Sequence, residues 1–199
     1  MAATDDEVAF EAYLERLRQE AIRLACYVRV YRKLHERRYD RLAELNIAPG
    51  FFSTVADALF SAIVLWVDKL CDERSERGLH NFLAFAEHHR GLFTRRPIDF
   101  QTIQKDREAL RAFGPLESVR LRRDKFHAHF DKDYFLDRTR LAEDAPLRWG
   151  DLEETLTLVA NVLNRYSAAY SGNLLILEPL NVGDLDDLLS ELHRATGAT

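Results

Sequence analysis

The run Arg122-Arg123-Asp124-Lys125-Phe126-His127-Ala128-His129-Phe130-Asp131-Lys132 gathers arginines, histidines and carboxylates into one short segment. The two arginines stay charged at any working pH, and the two imidazoles exchange protons close to neutrality. Those are the parts needed to hold a phosphodiester and move protons around it without a metal. Arg120, Arg122, Arg123 and Lys125, opposed nearby only by Glu117 and Asp124, form a basic cluster suited to phosphate or RNA binding.

The positioning element is read as a helix. Gly114-Pro115 ends one helix and opens the next, with proline tolerated in the first turn. At about 100° per residue, Leu116, Val119, Arg123, Phe126, His127, Phe130 and Tyr134 share one stripe, so Arg123 and His127 interrupt an apolar face. Arg122 and His129 fall within about 20° of each other at its edge, with Asp133 beside them, whereas Arg123 and His129 are about 120° apart. Two Arg/His pairs are geometrically possible, and the residues leave open which one works. The structural alternative for Arg123 is a partner carboxylate near the bundle centre, because a buried charge needs one. For His127 it is a core or dimer contact, and for Asp131 and Lys132 it is helix-end capping and a surface ion pair.

The rest of the chain predicts an all-α bundle of about six to seven helices in a single domain, 1–199. Its 199 residues are 47% hydrophobic with only 8 Gly and 5 Pro, and no linker or repeat divides them. Apolar steps of three and four from Asp5 to Leu45 predict one long first helix whose seam carries His35 and Arg38. Ser53 to Cys71 is apolar on most faces and reads as a central helix surrounded by others. Short helices follow over Leu79–His89 and from Phe100 to Phe113. Asp151 with Glu154 has the spacing of a reciprocal cap for a helix running to Gly172. Leu174–Leu177 suits an extended segment, and Asp184 opens a last helix to about Arg194.

Several function classes are excluded or disfavoured. A net charge of −5 argues against a constitutive DNA coater. The acidic start, Met1 to Glu7, is no secretory signal, and the apolar stretch from Val55 is interrupted by Asp57, Asp68 and Lys69, so no membrane span and a cytoplasmic location are expected. Cys26 and Cys71 suit reduced thiols. His80, His88 and His89 lack chelating spacing, no Glu-x-x-His occurs, and no phosphate loop or nucleophile elbow is present, so no metal and no cofactor are expected. Tyr27, Tyr31, Trp66 and Phe82 sit at core spacing.

Arg123-Asp124 followed by His129 resembles the signature of the HEPN superfamily of helical-bundle ribonucleases and nucleotide-binding proteins. The run Arg123 to Lys132 is similar to the R-(N/D)-K-x-x-A-H-x-D-K string of its AbiU-type abortive-infection proteins, and the helix layout resembles theirs over most of the chain. The resemblance implies a homodimer with two motif helices facing a shared cleft, and RNA cleavage without metal. It assigns phosphate binding to Arg123, acid or base duty to His129, and orientation of its neighbours to Asp124. The implied reaction is attack by a 2′-hydroxyl on the adjacent phosphorus, leaving a cyclic phosphate. Its implied setting is phage defence or a toxin-antitoxin pair, with an antitoxin or nucleotidyltransferase-like protein as partner. Arg122 and His127, lying within the motif, are the departure that keeps the working pair open. The alternatives are a non-catalytic module binding a nucleotide, RNA or protein, and a purely structural metal-binding bundle.

Overall fold

Helix starts and stops are set by local chemistry. The structure, a computed structural model, describes residues 3–127, 131–179 and 183–196. Helix α1, Asp5–Asp40, opens on a capping box: the Thr4 hydroxyl accepts from the Glu7 amide at 3.3 Å, and Glu7 Oε2 accepts from the Thr4 amide at 2.7 Å. The single helix expected to reach Leu45 breaks at Arg41, whose φ of −130° and ψ of 30° leave the helical region. A short α2, Leu42–Leu45, follows, turning Leu45 into a cluster with Leu34, Phe52 and Leu189.

Pro49 then opens α3, Pro49–Cys71, four residues earlier than the periodicity indicated, because a proline at the first helical position sacrifices no hydrogen bond. Ile63, Val64, Val67, Leu70 and Cys71 are buried. The helix is not enclosed on all faces as expected, however: Phe51 is 60% exposed, and only 28% of its most apolar stretch is buried. Among the described residues α3 is the one helix long and apolar enough to cross a membrane, and here it packs against α1.

The remaining helices are α4, Leu79–His88, α5, Phe100–Arg111, α6, Pro115–Arg122, α7, Lys132–Leu136, α8, Arg138–Asp144, α9, Trp149–Ser171, and α10, Asp184–Thr196. No strand occurs among the described residues. Helix α9 begins two residues before Asp151, which therefore serves as the N3 carboxylate: its Oδ2 accepts from the Arg148 amide at 2.6 Å. Gly172, with φ of 84°, closes that helix in the left-handed conformation. Residues 173–179 are non-helical, with Leu174 and Ile176 outward and Leu175 and Leu177 against the core. Helix α10 lays Leu189 over the end of α1, where Lys33 and Arg37 pair with Asp186 at 2.6 and 2.8 Å.

The continuous motif helix expected to run to Tyr134 is also interrupted. Regular α geometry ends at Arg122, residues Arg123–His127 form a wider π turn, and Asp131 caps the start of α7 by accepting from the Asp133 amide at 3.1 Å. Leu116 and Val119 are buried as the stripe required, but the stripe does not continue as one helical face beyond Arg122.

The core centres on rings. Phe10 stacks with Phe82 at 5.8 Å, and Phe82 meets Tyr166 edge-on at 5.4 Å. The Tyr166 hydroxyl donates to buried Asp106, which also pairs with Arg165 at 3.1 Å, so the polar end of the cluster is satisfied. Phe82→Ala is expected to cost about 3–5 kcal/mol in denaturant unfolding; a loss under about 1 kcal/mol would show that the ring cluster does not carry the core.

Candidate functional site

Asp68 and Asp72 are one turn apart, the second being the C-cap residue of α3, and their carboxylates reach the end of α6. Arg123 Nη1 donates to both Asp68 oxygens at 2.7 Å and to Asp72 Oδ2 at 3.0 Å. The other edge of the guanidinium, Nε and Nη2, faces Asp124 Oδ1 at 2.8 and 2.6 Å. Arg74 adds a hydrogen bond to Asp72 Oδ2 at 2.9 Å, and Arg120 stands 4.0 Å from the same carboxylate. The inner anchor is sheltered, Asp72 being 4% exposed, whereas the Asp124 side chain is 48% exposed.

Titration behaviour follows from this arrangement. Burial alone would push Asp72 up, but hydrogen bonds from Arg74 and Arg123 overcome it and hold the carboxyl well below the usual range. Asp68 is pushed up, because burial outweighs its bonds to Arg123. Burial disfavours the Arg123 cation too, yet Asp68 and Asp124 more than compensate and raise its pKa further.

Arg122, one residue earlier, points elsewhere. Its Nε donates to the Ala145 carbonyl at 2.7 Å and its guanidinium lies 5.4 Å over the Phe60 ring. His127 meets the same ring at 5.8 Å, and its Nδ1 is 3.1 Å from Ser61 Oγ. The Ser61 hydroxyl donates to the Asp57 carbonyl at 2.9 Å, which leaves its oxygen to accept from Nδ1–H. His127 Nε2 is buried and has no partner among the described residues. Burial, and then the Arg122 charge, lower the His127 pKa to about 4.

Of the residues proposed from sequence, Arg123, Asp124 and Arg120 thus gather at Asp68 and Asp72, while Arg122 and His127 gather at Phe60. Lys125 joins neither group and pairs with Asp131 at 2.8 Å. His129 lies outside the described residues. The structural alternatives suggested for Asp131 and for Arg123 are both realised as contacts: Asp131 caps and pairs, and Arg123 is carboxylate-bound. Sequence reasoning missed Asp68, Asp72 and Arg74. The available signal was two acidic residues four apart at the end of an otherwise apolar helix, of which Asp68 alone entered the reading, as an interruption of the apolar stretch. Among the described residues no group of three or more His, Cys, Asp or Glu side chains is arranged to hold a metal, and His89 instead sits 3.2 Å from Asp6.

The described residues form an all-α bundle in which the Arg-Asp-Lys turn is clamped against the end of α3. The AbiU2 family model of HEPN proteins matches residues 7–197, and the chain belongs to that family, an abortive-infection type of HEPN module. Comparison with curated proteins gives no match, and neither does comparison with solved structures.

The enclosed His127 gives a pH signature. Between its ordinary pKa of 6.5 and the lowered value of about 4, the unfolded chain binds a proton that the folded chain refuses, so folding stability falls as pH drops through that interval. Wild-type protein is expected to lose more stability from about pH 7 to about pH 5 than His127→Gln. Equal losses, or a His127 NMR titration near 6.5, would contradict the enclosed site.

Proposed function

We propose that this AbiU2-family protein is a cytoplasmic, metal-independent endoribonuclease of phage defence or of a toxin-antitoxin pair. The observation that carries the reading is the division of labour around Arg123. Its inner edge is fixed by sheltered Asp68 and Asp72, while its outer Nε/Nη2 edge, the one shaped for bidentate phosphate contact, is covered by solvent-exposed Asp124. An RNA phosphate takes the place of Asp124 there at little cost in burial, and Arg123 neutralises charge building on the phosphorane oxygens. The 2′-hydroxyl oxygen then bonds to phosphorus as the 5′-oxygen leaves, giving a cyclic phosphate and a 5′-hydroxyl. His129 is the proton-transfer group of this step, as the family motif assigns.

A homodimer fits the exposed apolar side of α3. This helix carries more apolar surface than one chain covers, and Phe60 and Ser61 on it touch the motif. Covering that face with a second copy brings two motif segments to one cleft.

The second reading, a non-catalytic module binding a nucleotide, RNA or protein, is favoured by a separate observation. Arg122, Arg123 and Lys125 each already hold an oxygen partner, and His127 is neutral and enclosed. In the enzymatic reading the same contacts describe a silenced state that an antitoxin or nucleotidyltransferase-like partner maintains.

Purified protein incubated with RNA in excess chelator decides between them. Cleavage is expected, falling by about 10²-fold or more in Arg123→Ala and in His129→Ala, and Asp124→Asn is expected to bind RNA more tightly. Cleavage unchanged in both alanine variants sinks the assignment, and loss confined to Arg122→Ala and His127→Ala moves the site to Phe60. No cleavage together with saturable RNA binding establishes the second reading.

A further inference from the structure

Helix α10 stands apart from the main core. Its buried Leu189 belongs to a second, smaller cluster with Leu34, Leu45, Phe52 and Ala56, and Leu185 and Leu192 pack against that cluster. Leu185, Leu189 and Leu192 are spaced i, i+4 and i+7, the stripe by which an amphipathic helix seats in a groove. The groove is the corner formed where α1 breaks at Arg41 and α2 turns the chain into α3.

Charge sets the direction of the seated helix. Asp186, in its first turn, meets Lys33 and Arg37 at 2.6 and 2.8 Å, and His193, in its last turn, places Nδ1 2.8 Å from the sheltered carboxylate of Glu44. Seated the other way round, the same helix would bring its acidic first turn to Glu44, against like charge. These contacts orient α10 more than they hold it. The Lys33, Arg37 and Asp186 side chains are a quarter to a third exposed, and ion pairs so solvated add little stability.

The corner also offers more apolar surface than α10 covers. An open cavity of about 220 Å³ shares Leu34, Leu45, Phe52 and Ala56 with the α10 cluster and is lined further by Leu42 and Pro49, with no α10 residue in its wall. On the same corner Leu42, Ile47 and Phe51 are each about half exposed. Clustered apolar exposure of this kind marks a surface that another molecule covers.

We propose that this corner is a docking site for an amphipathic helix of a partner protein, one with an acidic first turn and leucines at i, i+4 and i+7, and that α10 is the resident helix such a partner displaces. The resident has the advantage of its tether. The partner offsets that advantage by covering the apolar surface that α10 leaves open. No motif residue lines the cavity or joins the cluster, so the site stands whether or not the chain cleaves RNA.

The test uses a fluorescein-labelled peptide of residues 184–196, titrated by fluorescence anisotropy against the full-length protein and against full-length Leu189→Asp, which unseats the resident helix. The peptide is expected to bind Leu189→Asp saturably and at least about tenfold more tightly than wild type, whose tethered α10 competes at an effective concentration on the order of 1 mM. Adding Lys33→Glu and Arg37→Glu to Leu189→Asp is expected to weaken the peptide about tenfold or more, and an Asp186→Lys peptide to recover part of that loss. Hydrogen exchange on unaltered protein gives a second reading: α10 amides are expected to open at least about tenfold more often than those of α9. The proposal is overturned by no saturable binding to Leu189→Asp up to about 1 mM peptide, by equal affinity for the two proteins, or by indifference to the charge reversals. It is equally overturned by α10 amides that exchange only together with those of α9. A wild-type dimer that Leu189→Asp abolishes overturns it in favour of a second copy's α10 as the occupant.

Discussion

A guanidinium placed at the junction of two helices cannot be left without anions, and Arg123 is placed there by the sequence of α6. Its counter-charges come from Asp68 and Asp72, one turn apart at the end of α3. Removing one partner from such a sheltered cluster leaves a charge with poor solvation, which is costlier than the net worth of the pair itself. The docking of α6 on α3, already driven by Leu116 and Val119, is therefore fixed in register by an electrostatic requirement. The loop after α3 joins the same constraint, since Arg74 caps Asp72 with both its backbone amide and its side chain.

The π turn completes the arrangement. Arg122 and Arg123 are adjacent, yet one reaches the Ala145 carbonyl and the Phe60 ring while the other reaches α3's last turn. The chain thereby separates two cationic groups that a basic run would otherwise leave side by side. The Asp124 carboxylate neutralises the edge of Arg123 that remains accessible. The motif is held as a set of ion pairs in which Asp124 is more exposed than Asp68 or Asp72.

Much of the architecture was legible before any coordinates. The close of α9 at Gly172, the inward Phe82 and the non-helical stretch at Leu174–Leu177 are encoded within a few residues. The break at Arg41 was hidden because Leu42 and Leu45 resume the seam's spacing beyond it, and the early start of α3 because Pro49-Gly50 reads as a helix stop although proline is tolerated in a first turn. The end of regular helix at Arg122 was hidden for a similar reason: Phe126, His127 and Tyr134 keep helical spacing although the backbone does not. Least legible was the set of groups around Arg123. Asp68 lies 55 positions earlier in the chain, and no local pattern records a partner at that distance. Sequence supplied the cation and the need for a carboxylate; the fold supplied which one.

The account rests on energetic coupling between Arg123 and its inner carboxylates. A double-mutant cycle of Asp72→Asn and Arg123→Gln, read by denaturant unfolding at neutral pH, measures it directly. The two substitutions are expected to be non-additive, with a coupling of about 1 kcal/mol or more, because each single variant strands the other's charge. Additivity within about 0.3–0.5 kcal/mol would show that the ion pair does not hold the motif in place.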